Sequence, residues 1–479
     1  MRRYLPAALV VLVIGALALG FTQWQQLKAA SRLPPPPTIG TQSKAVAAHL
    51  AGKYADARRE PRSAEVVGSL CVAYHADMFF DEADRCYTLA AELDPREWRW
   101  RYYRALIQFE RGGGESLVDT LRGVVAQAPD FGPAWLRLGD ALFKARQYDA
   151  ARQAWERANQ VRAPESEQPA PRHVAEVPLS AYADVGLARI ALVEGDTGRA
   201  RQILERVAAD APHFSSALRL LGDVYLSHGR RAEAERLVYR ANRLQPYAPY
   251  ADPLVDDLAR ESRNSTLLLR LASEANLAVN AEWSEYLTRR ALEFDPDNPE
   301  AIVKLGRVLR TIGRNEEALE FFQRYHQLVP GDYLGLAHIG SCLSALGRYE
   351  EAESYLRRSL VGSDDPLTHY NLGLLLSVTG RVDEAVIEYE KALAKDEMNS
   401  DARSNLAAVL VRQGKLDRAS SELGRVIERD PDNAMARANL GLVLLQQGRA
   451  SQARVQLEEA LRLNPQLTPA REALDSIRE

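Results

Sequence analysis

Three asparagines recur at a fixed interval near the carboxyl end: Asn371, Asn405 and Asn439, 34 residues apart and each opening Asn-Leu-Gly or Asn-Leu-Ala. An asparagine amide both donates and accepts, so a row of them can hold peptide groups whatever side chains these carry. Lys304, Arg307 and Arg310 fall at i, i+3 and i+6, and on a helix this makes a basic stripe suited to a carboxylate or an acidic segment. His338 stands 34 residues after Lys304, while Leu367, Tyr370 and Leu374 surround Asn371 with apolar surface. This is the chemistry of binding. For catalysis there is no His-Glu-x-x-His, no P-loop, no Gly-x-Ser-x-Gly and no Cys-x-x-Cys-His. The eight histidines are single, and each is expected to be partly exposed; no metal, cofactor or intrinsic enzyme activity is expected.

The elements that position these residues follow from a repeat. Small residues stand at Cys71, Ala105, Gly139, Ala188, Gly222, Ala272, Gly306, Gly340, Gly373, Ala407 and Gly441, with spacings of 33 or 34 except for two of 49 and 50. Twelve residues after each of these anchors a second small residue follows in all but one case, Leu117. Small side chains at both places let two antiparallel helices approach closely. Gly313, Gly347, Gly380, Gly414 and Gly448 sit seven after their anchors, where a first helix must stop. Pro stands 24 after the anchor in eight of the units, and the residue before a proline disfavours the α region, which ends the second helix. The two long intervals mark insertions, a Pro-rich polar one over 163–178 and another over 247–262 with Tyr247 and Tyr250. The second either folds back onto the first helices or leaves as a surface excursion.

Segments such as Asn371-Leu372-Gly373, Gly380-Arg381-Val382-Asp383-Glu384-Ala385, Tyr389 and Ala392 resemble tetratricopeptide repeats, over residues 61–465. The resemblance implies an all-α fold, a right-handed superhelical solenoid of about eleven helix-turn-helix units, whose concave groove is lined by first helices. It places the residue two before each anchor in that groove, namely Lys304, His338, Asn371, Asn405 and Asn439. Neighbouring helices pack about 10 Å apart and an extended chain advances about 3.3 Å per residue, so one rung would meet every third residue of a bound peptide. Such a row resembles the asparagine ladders of repeat domains that hold a peptide backbone. Cys71 and Cys86 fall on the two helices of the first unit, where an oxidising compartment could join them.

Met1-Arg2-Arg3-Tyr4 precedes an uncharged run from Leu5 to Phe21, a short match to a bilayer core of about 30 Å. It reads as an uncleaved anchor, or, through Ala16-Leu17-Ala18, as a cleavable signal with a secreted product. The two leading arginines favour a cytoplasmic amino end, with the bulk of the chain outside the cytoplasmic (inner) membrane. The expected layout is a signal anchor or transmembrane segment over 1–33, a Pro-rich linker and leading helix over 34–60, and repeats over 61–162, 179–246 and 266–465. Between and after these come a flexible loop over 163–178, an insertion over 247–265 and a capping helix over 466–479. The chain has 479 residues, 46% of them hydrophobic and 26% charged, and 61 Lys plus Arg against 65 Asp plus Glu give a net charge of −4. That balance argues against nucleic acid as a partner. The reading is a non-catalytic scaffold for extended peptides or partner proteins, in assembly of an envelope complex. The alternative is a subunit of a polysaccharide synthesis or export system that contacts glycan or a glycosyltransferase; a groove with Tyr370 as its clear aromatic favours the first.

Overall fold

The computed structural model describes residues 21, 23–38, 44–161, 177–244, 250, 252–275 and 280–478, and no strand occurs among them. None of the described helices is long and apolar enough to cross a membrane. The run from Leu5 to Phe21, apart from Phe21 itself, lies outside the described residues, as does most of the loop over 163–178.

The chain divides into two compact units, residues 1–217 with 247–296, and residues 218–246 with 297–479. In the first, Lys44–Arg59 leads into the pairs Ala64–Ala76 and Phe80–Leu93, Trp98–Glu110 and Glu115–Gln127, Gly132–Lys144 and Tyr148–Gln160, and Leu179–Val193 and Thr197–Asp210. A nine-residue helix, Pro253–Glu261, and the pair Ser265–Glu274 and Ala281–Phe294 complete it. The second unit holds Arg231–Arg243 and five pairs: Pro299–Thr311 with Asn315–Leu328, Tyr333–Ala345 with Tyr349–Gly362, Pro366–Val378 with Val382–Lys395, Ser400–Arg412 with Leu416–Arg429, and Ala434–Gln446 with Ala450–Leu463. Helix Ser215–Ser227 spans the boundary, and Thr468–Arg478 closes the chain by burying Ala470 and Leu474 beside Leu457.

The repeat chemistry accounts for these bounds. Second helices end at Leu93, Gln127, Asp210, Phe294, Leu328, Arg429 and Leu463, two residues before a proline in each case. Apart from Ser265–Glu274, the first helices stop at a left-handed residue, Gly380 with φ 82° and Gly414 with φ 73° among them. Two units reach the same conformation without glycine, at Met78 (φ 69°) and Arg146 (φ 59°). The small residues twelve after the anchors are buried, and Ala83, Ala151, Ala318, Ala352, Ala385 and Ala453 are 0% exposed.

Sequence reasoning missed the partner of nine of the eleven anchors, a large residue sixteen further on, the other two having Val238 and Thr288 at that place. A Cβ on Gly139 would lie 2.4 Å from the Trp155 ring, one on Gly306 2.7 Å from Phe322, and one on Gly373 2.8 Å from Tyr389. The second helix lays this side chain across the anchor, so the glycine makes room where interiors are close-packed. The signal was present, because Tyr87, Leu121, Trp155, Leu204, Phe322, Leu356, Tyr389, Leu423 and Leu457 all stand at this offset.

Candidate peptide-binding surfaces

The sequence-predicted residues of the second unit lie on successive first helices. Lys304, His338, Tyr370, Asn371, Leu374, Asn405 and Asn439 are half-buried, and Arg307 and Arg310 are exposed. The His338 ring stacks on Phe322 with centroids 4.8 Å apart. Burial, aided by the charges of Arg307 and Arg310, pushes its pKa down to about 4, so His338 is neutral at pH 7. Burial likewise lowers the Lys304 pKa. Arg307 and Arg310 form no ion pair or side-chain hydrogen bond among the described residues, which leaves two cations facing solvent beside a neutral histidine.

The three asparagines are not equivalent. Asn405 Nδ2 donates to Tyr370 Oη at 3.2 Å, across neighbouring pairs. Asn371 and Asn439 have no side-chain hydrogen bond among the described residues. Leu334, Leu367 and Val378, on the first helices Tyr333–Ala345 and Pro366–Val378, are exposed apolar residues at 40%, 47% and 65%. At the start of the Asn405 helix, Ser400 Oγ and Tyr239 Oη meet at 2.9 Å.

The sequence hid a second regularity. His369 Nδ1 lies 2.5 Å from Glu388 Oε2, Arg403 Nη1 donates to Glu422 Oε2 at 2.6 Å, and Arg437 Nη1 donates to Gln456 Oε1 at 3.0 Å, each pair 19 residues apart. These contacts tie first helix to second. His369 is therefore 4% exposed, and His75, ringed by Phe80, Tyr87 and Tyr103, is 6% exposed. Both correct the expectation of partial exposure: one is held by acids, the other by aromatic edges. Burial alone drives the His75 pKa down to about 3.

The first unit carries the larger surprise. The insertion is not a surface excursion, because its helix Pro253–Glu261 packs on the first helices of the early repeats. Asp252 accepts from Tyr102 Oη at 2.6 Å and from Arg137 Nη2 at 3.2 Å. The Arg137 guanidinium lies 5.5 Å from the ring centroids of both Phe109 and Tyr250. Arg137 stands two residues before the anchor Gly139, the position of the expected groove residues in the second unit. Leu254 and Leu258 are buried against this face. At the far end, Glu261 Oε1 lies 2.8 Å from Lys53 Nζ and 3.0 Å from His49 Nε2. Burial would raise the Glu261 pKa, yet these partners hold it down at about 2. The Arg263 backbone N–H then donates to Asp77 at 2.8 Å.

Cys71 and Cys86 form a disulfide with Cα atoms 5.2 Å apart, both fully buried. Cys71 is an anchor and Cys86 lies fifteen residues later, beside Tyr87 at the packing offset, so the repeat geometry itself brings the sulfurs together. No group of three or more His, Cys, Asp or Glu suited to a metal occurs among the described residues.

A family model described as tetratricopeptide repeat matches residues 118–167, 284–333, 339–402 and 404–468, and a second of the same description matches 191–254. Protein CTR9 homolog of Arabidopsis thaliana is 24% identical over 350 residues, covering 65% of this chain and 30% of that protein. Tetratricopeptide repeat protein 21B of Mus musculus is 27% identical over 217 residues, covering 45% of this chain and 14% of that protein. The chain thus spans less than a third of either curated relative. Among solved structures, PilW, described as a widely conserved type IV pilus biogenesis factor, is similar at 19% identity, with 45% of this chain and 98% of that one covered and a TM-score of 0.40. YrrB, described as a TPR protein with an unusual peptide-binding site, is similar at 23% identity, with 39% and 97% covered and a TM-score of 0.33. With the repeated helix pairs and the family matches in agreement, the chain belongs to the tetratricopeptide repeat family.

Proposed function

We propose that this protein is a scaffold that captures segments of partner proteins on the first-helix face of its second unit, in the assembly of an envelope complex outside the cytoplasm. The observation that carries this reading is internal. The first unit seats a segment of its own chain on the equivalent face, with an acid, Asp252, held by the cation at the groove position, Arg137. In the second unit, Arg307 and Arg310 offer charge to an acidic residue, and Leu367 and Leu374 offer apolar contact. Asn371 and Asn439 supply bare amides for a peptide backbone. The Cys71–Cys86 disulfide supports an oxidising compartment, in keeping with an anchor or signal at Leu5–Phe21.

The test replaces the two bare amides, Asn371 and Asn439, together by Ala and compares capture of partners crosslinked from membranes. Unchanged melting with capture weakened at least tenfold, or about 1.4 kcal/mol, is the expected result. Capture equal to that of the parent chain would place binding elsewhere.

A further inference from the structure

The resident segment fits its seat chemically but fills it incompletely. Two of its four acids, Asp252 and Glu261, are nine residues apart and each meets a basic group, Arg137 at one end and Lys53 at the other. Leu254 and Leu258, at i and i+4, lie on one side of the helix between them, the pattern of a helix laid in a groove. Beside Leu258, however, a cleft of about 380 Å³ remains, lined by Met78, Phe80, Leu106 and Phe109 together with the charged Arg270 and Glu274. That volume falls in the range of ligand pockets, about 300–1,000 Å³. Asp252 Oδ1 and Asp77 Oδ2, at the contact, are buried without a hydrogen-bond partner among the described residues. The face is thus shaped for a helix with the same charges and a larger apolar side.

We propose that this face of the first unit is a second binding surface. It takes a partner helix carrying acids about nine residues apart that flank bulky apolar residues at i and i+4, and the resident 252–263 segment is the competitor that this helix displaces. This surface is independent of the one on the second unit, and either can fail without the other.

The probe is a fluorescent peptide of this chain's own residues 250–263, titrated by anisotropy into the full chain with its disulfide intact. The chain is used unaltered and with Leu254→Asp plus Leu258→Asp, which undock the resident helix. The folded double variant should bind the peptide at least tenfold more tightly than the unaltered chain. A peptide carrying Leu258→Trp should bind more tightly still by entering the cleft, and Arg137→Ala in the double variant should remove binding. A folded double variant that binds neither peptide overturns the proposal. Should the double variant fail to fold, hydrogen exchange on the unaltered chain decides. Amides of 254–261 exchanging at least tenfold faster than those of 134–144 support displacement, and equal protection overturns it.

Discussion

The carboxylate of Asp252 accepts a 2.6 Å hydrogen bond from the phenol of Tyr102, 150 residues earlier in the chain. Asp252 precedes Pro253 at the start of a helix, where an aspartate ordinarily caps its own first turn. Here it makes no such cap, and its side chain reaches Tyr102 and Arg137 instead. The local signal is diverted to a long-range contact that fixes the insertion on the first repeats.

Removing that phenol should be felt. Tyr102→Phe leaves the Asp252 carboxylate paired with Arg137 alone of the two, and a hydrogen bond to a charged group contributes about 1.5–3 kcal/mol. Urea unfolding should show a loss of that order, with faster hydrogen exchange in 253–261 before any change in 132–144. A variant as stable as the parent would mean that the Asp252–Tyr102 contact does not hold the segment.

Arg146 sits in the left-handed region at the turn of its repeat, where most units have glycine. An L-residue pays about 1–2 kcal/mol for that conformation, and glycine gives back part of the gain through its freer unfolded chain, about 0.5–1 kcal/mol. Arg146→Gly should therefore stabilise by about 0.5–1 kcal/mol. A lower urea midpoint would show that the Arg146 side chain contributes a contact that outweighs the strain.

The buried histidines His338 and His75 should each contribute a loss of stability as pH drops from about 6.5 toward 4. The unfolded chain binds protons at histidines near 6.5, whereas folded His338 and His75 wait until about 4 and about 3. The unfolded state thus holds more protons in this window, and acid favours it. Asp140 acts in the opposite sense. Burial raises its pKa to about 6, so the folded state takes up a proton there that the unfolded carboxylate does not, and stability rises as pH falls through 6 toward 4. Burial raises Asp77 and Asp257 in the same sense as Asp140, so the histidine contribution is read as the difference between the parent chain and a histidine variant. His75→Phe keeps an aromatic ring among Phe80, Tyr87 and Tyr103 and should flatten the profile between pH 6 and 4.5. An unchanged slope would contradict a buried neutral His75.

Much of the architecture was legible because it is local and repeated. A glycine seven after the anchor, an alanine twelve after and a proline twenty-four after each have one physical job, and the helices begin and end accordingly. The large residue at sixteen and the polar pairs such as Arg403–Glu422 were equally periodic, but they report contacts between helices rather than breaks in them. The place of the insertion was not legible. Asp252-Pro253-Leu254 announces a helix start and nothing more, since no local pattern tells an aspartate that its partners are Tyr102 and Arg137. The cations Arg307 and Arg310 were readable as a stripe, whereas the pairing of Asn405 with Tyr370 depends on how neighbouring repeats stack.

The central claim is that the first-helix face of the second unit, and not its second helices, takes hold of partner proteins. Site-specific photocrosslinking tests it most directly, with a benzoylphenylalanine placed at Leu367 on a first helix or at Ile387 on a second helix, two positions of similar exposure, 47% and 49%. The account predicts crosslinks from 367 to defined acidic segments of partner proteins, lost when Arg307 and Arg310 are both changed to Glu, and background crosslinking from 387. Equal crosslinking from both positions, or capture from 387 alone, would contradict it.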